Sequence, residues 1–161
     1  MIMKKPEAVG VDLARVDPLT RLNVYVASSW PNATQPAVVG AIRAGGVECY
    51  DSRHPAEGDN AFAWSDIDPA WLDWTAEQKA GLAHPAAVEG FNKDFEAMER
   101  ANSFVLVLPC GSPAHLELGW AVGALKRTAI LLTEDHEAEL MSKMVDYIAL
   151  DIDDLVAWLA S

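Results

Sequence analysis

Ser103-Phe-Val-Leu-Val-Leu108, then Pro109-Cys-Gly-Ser-Pro113, a helical run over residues 114–126 and the apolar Thr128-Ala-Ile-Leu-Leu132 together decide the fold. The first run is apolar on both faces, as a central strand of a parallel sheet must be. Pro109 and Pro113 break it, and Ser112 reads as an N-cap with Pro113 at the first helical position. A strand, a helix and a second apolar strand in this order predict a right-handed crossover between parallel neighbours.

The same alternation extends in both directions. Upstream, Leu22-Asn-Val-Tyr-Val-Ala-Ser28 reads as a first strand, a helix follows to Ala44, and Gly45 and Gly46 end it. Val47-Glu-Cys-Tyr50 reads as a second strand. Residues 51–69 are long and polar, with Pro55, Gly58, Trp64 and Pro69, and a connection of that length is usually a lid or a binding element. Helices are predicted over residues 70–82 and 85–101. Downstream come a helix over 137–146, a short fifth strand, Tyr147-Ile-Ala-Leu150, and an amphipathic helix over 152–159. Five strands alternating with helices give an α/β, flavodoxin-like, doubly wound five-stranded parallel sheet of order 2-1-3-4-5. Residues 1–20, with Pro6 and Pro18, read as a loosely attached leader, and residues 21–161 as a single domain.

Composition narrows the function. The chain has 161 residues, 24 acidic against 12 basic, for a formal net charge of −12. Nucleic acid and anionic membrane surfaces would be repelled by that balance, which leaves a small molecule as the expected partner. Cys49 and Cys110 are too few for a disulfide framework and read as reduced, buried thiols, in keeping with a cytoplasmic protein. No stretch has the length and apolarity of an export signal or a membrane span. The phosphate loops Gly-x-x-x-x-Gly-Lys-Ser/Thr and Gly-x-Gly-x-x-Gly are missing, which removes the main support for ATP-driven and hydride-transfer chemistry. His54, His84, His115 and His136 show no metal-ligand spacing.

In a sheet of this order the ligand crevice opens at the carboxyl ends of strands one and three, where the winding reverses. The loop after strand one supplies Ser28, Ser29, Trp30 and Asn32; that after strand three supplies Cys110, Gly111, Ser112, His115 and Glu117. Glu117 lies near the start of a helix, where the dipole favours an ionised carboxylate. It could simply complement that dipole. Its apolar flanks, Leu116, Leu118 and Trp120, point instead to a carboxylate in non-polar surroundings, which is a usable nucleophile. Asp94 on the preceding helix is either a solvated charge or the second carboxylate that glycosidic cleavage needs. Tyr25 on strand one is a core residue or an orienting phenol. Trp64, Trp71 and Trp74, amid Asp66, Asp68 and Asp73, either pack an irregular segment or stack on a base. Cys110 beside His115 permits a thiol nucleophile, with no third group visible to orient the histidine.

These residues resemble the nucleoside 2-deoxyribosyltransferase family, including its deoxynucleoside-monophosphate N-glycosidase branch. Asn23-Val-Tyr-Val-Ala-Ser-Ser-Trp-Pro-Asn-Ala-Thr-Gln35 is similar to the family's first strand and loop, with Tyr25 at its active-site tyrosine. Phe91-Asn-Lys-Asp94 resembles the segment whose aspartate serves the base. Leu116-Glu-Leu-Gly-Trp-Ala121, with Lys126 after it, resembles the motif whose glutamate is the nucleophile. The resemblance implies N-glycosidic cleavage or transfer on a nucleoside or nucleoside 5′-monophosphate through a glycosyl-glutamate intermediate, with Glu117, Asp94 and Tyr25 catalytic. Ser28, Ser29, Trp30, Gly111, Ser112, His115, Met141 and Ser142 would bind substrate, no metal or redox cofactor would be needed, and a homodimer or larger assembly would form. Leu155, Trp158 and Leu159 are either its contact or core.

Two departures from the family pattern bear on the substrate. Ser112-Pro-Ala-His-Leu116 stands where members carry glycines. The polar residue expected two before a methionine is either Glu139, before Met141, or Ser142, before Met144; a serine suits a 5′-phosphate and a glutamate repels it. The alternatives are a TIR-like NAD glycohydrolase, which also uses a glutamate on a related sheet, and a non-catalytic nucleotide-binding module.

Overall fold

The five strands β1 (Asn23–Ala27), β2 (Glu48–Asp51), β3 (Ser103–Val107), β4 (Arg127–Leu131) and β5 (Tyr147–Ala149) form one all-parallel sheet of order β2-β1-β3-β4-β5. The protein is described by a computed structural model covering residues 22–55, 61–75, 78–132 and 139–161; the leader expected over residues 1–20 lies outside the described residues. Helices α1 (Gln35–Ala44) and α5 (Ile152–Leu159) cover one face, and α3 (Pro85–Arg100) and α4 (Ser112–Gly123) the other; a short helix, α2 (Gln78–Leu82), precedes α3. Strand alternation sorts the core. Val24, Val26, Val105, Val107 and Leu131 pack against Val38, Ile42, Leu155 and Leu159. Tyr25, Phe104, Leu106 and Ile130 pack against Ala97, Met98, Leu118 and Ala121. Every residue of β3 is buried, as its uninterrupted apolar run requires.

Leu155 and Leu159 are therefore core, and Trp158 stacks on Tyr147 with ring centroids 5.5 Å apart. The first and last helices match expectation closely, the first ending at Gly45 before Gly46 at φ +76. No helix of the described residues is long and apolar enough to cross a membrane.

Three local expectations are corrected. Residues 70–82 are not one helix: a 3-10 turn over Trp71–Asp73 gives way to extended backbone at Trp74, and α2 begins only at Gln78. The Asp68 carboxylate accepts both the Ala70 N–H (2.9 Å) and the Trp74 indole N–H (2.6 Å), which ties the Trp74 ring back to residue 68 where the backbone is extended. Likewise the expected helix over 137–146 is, in its described part, a 3-10 turn over Leu140–Met144. The Asp146 N–H is taken by the Thr128 carbonyl at 3.0 Å, so the chain must straighten to pair with β4. Finally, extended Gly111 is the N-cap of α4, and Ser112 and Pro113 are its first two residues.

Candidate active site

The carboxyl ends of β1, β2 and β3 are tied into one floor. Buried Asn32 accepts the Thr34 and Gln35 N–H groups through Oδ1 (2.7 and 2.9 Å) and donates through Nδ2 to the Val107 and Pro109 carbonyls (3.1 and 2.9 Å). It thus starts α1 and joins the loop after β1 to the loop after β3. Gln35 Nε2 donates to Asp51 Oδ1 at 2.8 Å, and the Arg53 guanidinium donates to the Ser29 and Asn32 carbonyls, which brings in β2. Ser28 Oγ donates to the Val107 carbonyl at 3.0 Å, and Ser29 Oγ lies 3.4 Å from that of Pro109.

Above this floor opens a cavity of about 510 Å³. Glu117 enters it from α4, Asp94 from α3, Tyr50 from β2, and Ser28, Ser29, Trp30 and Gly111 from the loops. Phe62, Trp64 and Trp71 wall it from the long segment after β2. The β1–β2 register sets Tyr50 beside Tyr25, with rings stacked at 5.4 Å, and Tyr25 stacks again on Phe104 at 5.1 Å.

The two carboxyls perturb each other. Burial, then the negative charge of Asp94, pushes the Glu117 carboxyl up from 4.5 to about 7, against a smaller lowering by the Tyr25 hydroxyl. Burial also raises Asp94, opposed by the Tyr50 hydroxyl, which donates to Asp94 Oδ1 at 2.7 Å. Tyr25 is fully buried and its hydroxyl has no well-aligned hydrogen-bond partner. Burial raises its pKa most, and Glu117 is the charge that acts on it most strongly. Each carboxyl thus has its own phenol: Tyr50 bonded to Asp94, and Tyr25 close to Glu117 without an aligned bond.

Among solved structures, the chain is similar to the 2-deoxyribosyltransferase of the psychrotolerant bacterium Bacillus psychrosaccharolyticus, with a TM-score of 0.59 and 17% identity, covering 85% of this chain and 95% of that one. It has the fold of a 2-deoxyribosyltransferase. Clostridium botulinum CMP N-glycosidase BcmB also matches, at a TM-score of 0.47 and 16% identity, covering 86% of this chain and 99% of that one. No protein-family model matches the sequence, and no curated protein does.

The structure therefore gathers Glu117, Asp94, Ser28, Ser29, Trp30 and Gly111 around one cavity, with Tyr25 packed beneath its carboxyls. It puts His115, Met141 and Ser142 elsewhere, in a second cleft of about 200 Å³ that also holds Leu118, Glu139 and Met144. Ser112 is exposed at the start of α4 and lines neither cavity. His115 Nδ1 lies 3.1 Å from the Gly111 carbonyl and 3.6 Å from Cys110 Sγ, and its Nε2 is 3.9 Å from Glu139. Glu139 is the third group the sequence did not reveal, yet burial and the charges of Glu117 and Glu139 push the Cys110 thiol up to about 11, far from a thiolate. Lys126 donates to the Glu99 and Ala101 carbonyls at 2.8 and 2.6 Å, closing the end of α3. Sequence reasoning missed Tyr50 and Phe62. Tyr50 was within reach: one strand over and on the same face as Tyr25, it had to look toward the same helix pair.

Proposed function

We propose that the protein cleaves or transfers the N-glycosidic bond of a nucleoside or nucleoside 5′-monophosphate, with Glu117 as nucleophile. The observation that carries this reading is the convergence of Glu117 and Asp94 on one aromatic-walled cavity at the β1–β3 switch point. Two carboxyls in one site do not ionise independently, and the pair settles into one charged and one neutral member near neutral pH. The charge of Asp94 and the Tyr50 hydrogen bond to it put the resting proton on Glu117, so the productive form is the tautomer in which that proton has passed to Asp94 and Glu117 is ionised.

The Glu117 carboxylate attacks C1′ as the bond from C1′ to the base nitrogen breaks; that nitrogen takes the electron pair, and Asp94 supplies the proton. Water, or the nitrogen of a second base, then displaces Glu117 from C1′ and returns a proton to Asp94. Retention of configuration follows from the two displacements. Tyr25 lies beneath Glu117 and orients it, and Ser28 and Ser29, whose hydroxyl hydrogens point to backbone carbonyls, offer lone pairs to sugar hydroxyls. Trp64 and Trp71 supply faces for the base. The fold shared with a 2-deoxyribosyltransferase agrees with this reading.

The test is incubation with a panel of nucleosides, their 5′-monophosphates and NAD, followed by chromatography for free base. Release of base by the wild-type chain, lost by about a thousandfold or more in Glu117→Gln, is expected. Undiminished turnover by Glu117→Gln refutes the assignment, and nicotinamide release alone would favour an NAD glycohydrolase. Ligand-induced thermal stabilisation with no base release would mark a binding module.

A further inference from the structure

We propose that Gly90 is a positioning residue for base recognition: the space where its side chain would stand is the seat of Phe62, and the seated Phe62 sets where the Trp64 wall rises over the Asp94–Glu117 floor. The proposal deepens the function proposed above and rests on it for the class of ligand.

Gly90 lies one helical turn before Asp94 on α3, so both residues face the cavity and both line it. A Cβ built on Gly90 would stand 2.8 Å from Phe62 Cβ and 2.9 Å from its Cγ. These atoms are the root of the phenylalanine, not its flexible end, so rotating the ring cannot relieve the contact; the backbone around residue 62 has to move. Phe62 in turn meets Trp64 edge to face, with centroids 4.8 Å apart at 84°. Trp64 meets Trp74 at 5.7 Å and 70°.

The far end of this aromatic row is fixed in the same way. The Trp74 indole N–H is held by Asp68, and a Cβ on Gly81 would stand 2.2 Å from Trp74 Cζ3. Two glycines on neighbouring helices therefore hold down the two ends of a segment whose only regular structure is two 3-10 turns. Backbone conformation does not call for either one, since Gly46 is the only glycine at positive φ among the described residues. Glycine is also a poor helix former, so its presence inside α3 has its reason in the close approach of Phe62. Moving Phe62 outward by the width of a methyl group would lift Trp64 and widen the slot that a planar base must fill, while leaving the floor in place.

The experiment compares wild type, Gly90→Ala and Phe62→Ala by tryptophan-fluorescence titration with 2′-deoxycytidine, 2′-deoxyadenosine and their 5′-monophosphates. Carboxyl NMR titration of Glu117 and Asp94 in each variant reports on the floor. The expected result is an affinity loss of about tenfold in both variants, the scale of losing one stacked ring, with the carboxyl titrations unchanged. With any probe that is turned over, KM rises by that factor and kcat falls by much less. Affinity within about twofold of wild type, absence of probe binding by the wild-type chain at millimolar concentration, or a carboxyl titration that moves along with the affinity overturns the proposal. Should Gly90→Ala fail to fold, Phe62→Ala decides by the same criteria. A wild-type chain that binds a base-bearing probe without releasing base, and loses that binding in the variants, removes the catalytic reading and leaves the role of Gly90 standing.

Discussion

Replacing Glu117 by glutamine removes a charge that the fold holds at a disadvantage, and the size of that disadvantage follows from its titration. The carboxyl ionises at about 7 in the folded chain against 4.5 when exposed. Between those values the folded state keeps a proton that the unfolded state has already released. The stability this proton contributes is fully present below pH 4.5 and is lost as the pH rises through 7. At about 1.4 kcal/mol per tenfold change in proton affinity, the penalty on the wild type is roughly 1 kcal/mol at pH 5.5 and roughly 3 kcal/mol at pH 8.5. These are upper figures, because the carboxyl faces an open cavity that admits water. Glutamine has a similar shape and no charge at either pH. Its stability advantage over wild type should therefore grow by about 2 kcal/mol from pH 5.5 to pH 8.5, or roughly 4–8 °C in melting temperature for a domain of this size. Calorimetric melting of both proteins at the two pH values measures it, and contributions from groups not coupled to Glu117 cancel in the double difference. A difference between the proteins that stays constant with pH would refute the reasoning, because Glu117 would then be ionising as an ordinary surface carboxylate.

Asp94→Asn removes the second-largest cause of the raised Glu117 value, so Glu117 should ionise below about 7 in that variant, as read by carboxyl NMR; an unmoved titration would mean that burial alone sets it. Tyr50→Phe deletes the 2.7 Å hydrogen bond that holds Asp94 down, leaving burial unopposed, and Asp94 should titrate at higher pH than in wild type; a fall would reverse the assigned sign. Asn32→Ala strips four hydrogen bonds from the floor and leaves buried backbone groups unpaired, which should lower stability by about 2–4 kcal/mol and reduce the urea midpoint at constant slope. A loss under about 0.5 kcal/mol in that variant would show that water replaces the amide.

What could be read from the sequence was whatever depends on pattern along one element. The apolar run of β3, the breaks after it and the alternation of strands with helices sufficed for the sheet order, and the sheet order put the crevice at the loops after β1 and β3. Whatever depends on two distant elements was hidden. Tyr50 and Asp94 are 44 positions apart and meet only because the β1–β2 register and the packing of α3 bring them together. Gly90 in a helix reads as a weak helical position, and only the approach of Phe62 gives it a purpose. The helix expected over 70–82 fails because Asp68 holds the Trp74 indole six positions on, where the backbone is extended, a tie that no periodicity count includes. Proximity in sequence groups His115 with Glu117. Two positions along an α-helix turn the side chain by about 200°, so a residue beside the nucleophile in the chain faces the opposite flank of α4.

The fold breaks its own packing rules most visibly around Glu117. Tyr25 is wholly buried with a hydroxyl that finds no aligned partner, although a phenylalanine would fill the same stack between Tyr50 and Phe104. Glu117 and Asp94 are held near each other with both carboxyls raised, although a single neutral pair would be more stable. Neither feature is explained by stability. Both are sustained by a floor that is over-determined by hydrogen bonds from Asn32, Gln35 and Arg53, the arrangement expected where strain is kept for use rather than relaxed. If the Tyr25 hydroxyl is kept to steady the Glu117 carboxylate, Tyr25→Phe should leave the melting temperature unchanged or higher at acid pH and raise the pH at which Glu117 ionises. If instead the variant unfolds more readily at every pH and Glu117 ionises where it does in wild type, the hydroxyl serves the fold and Glu117 is left without its orienting phenol.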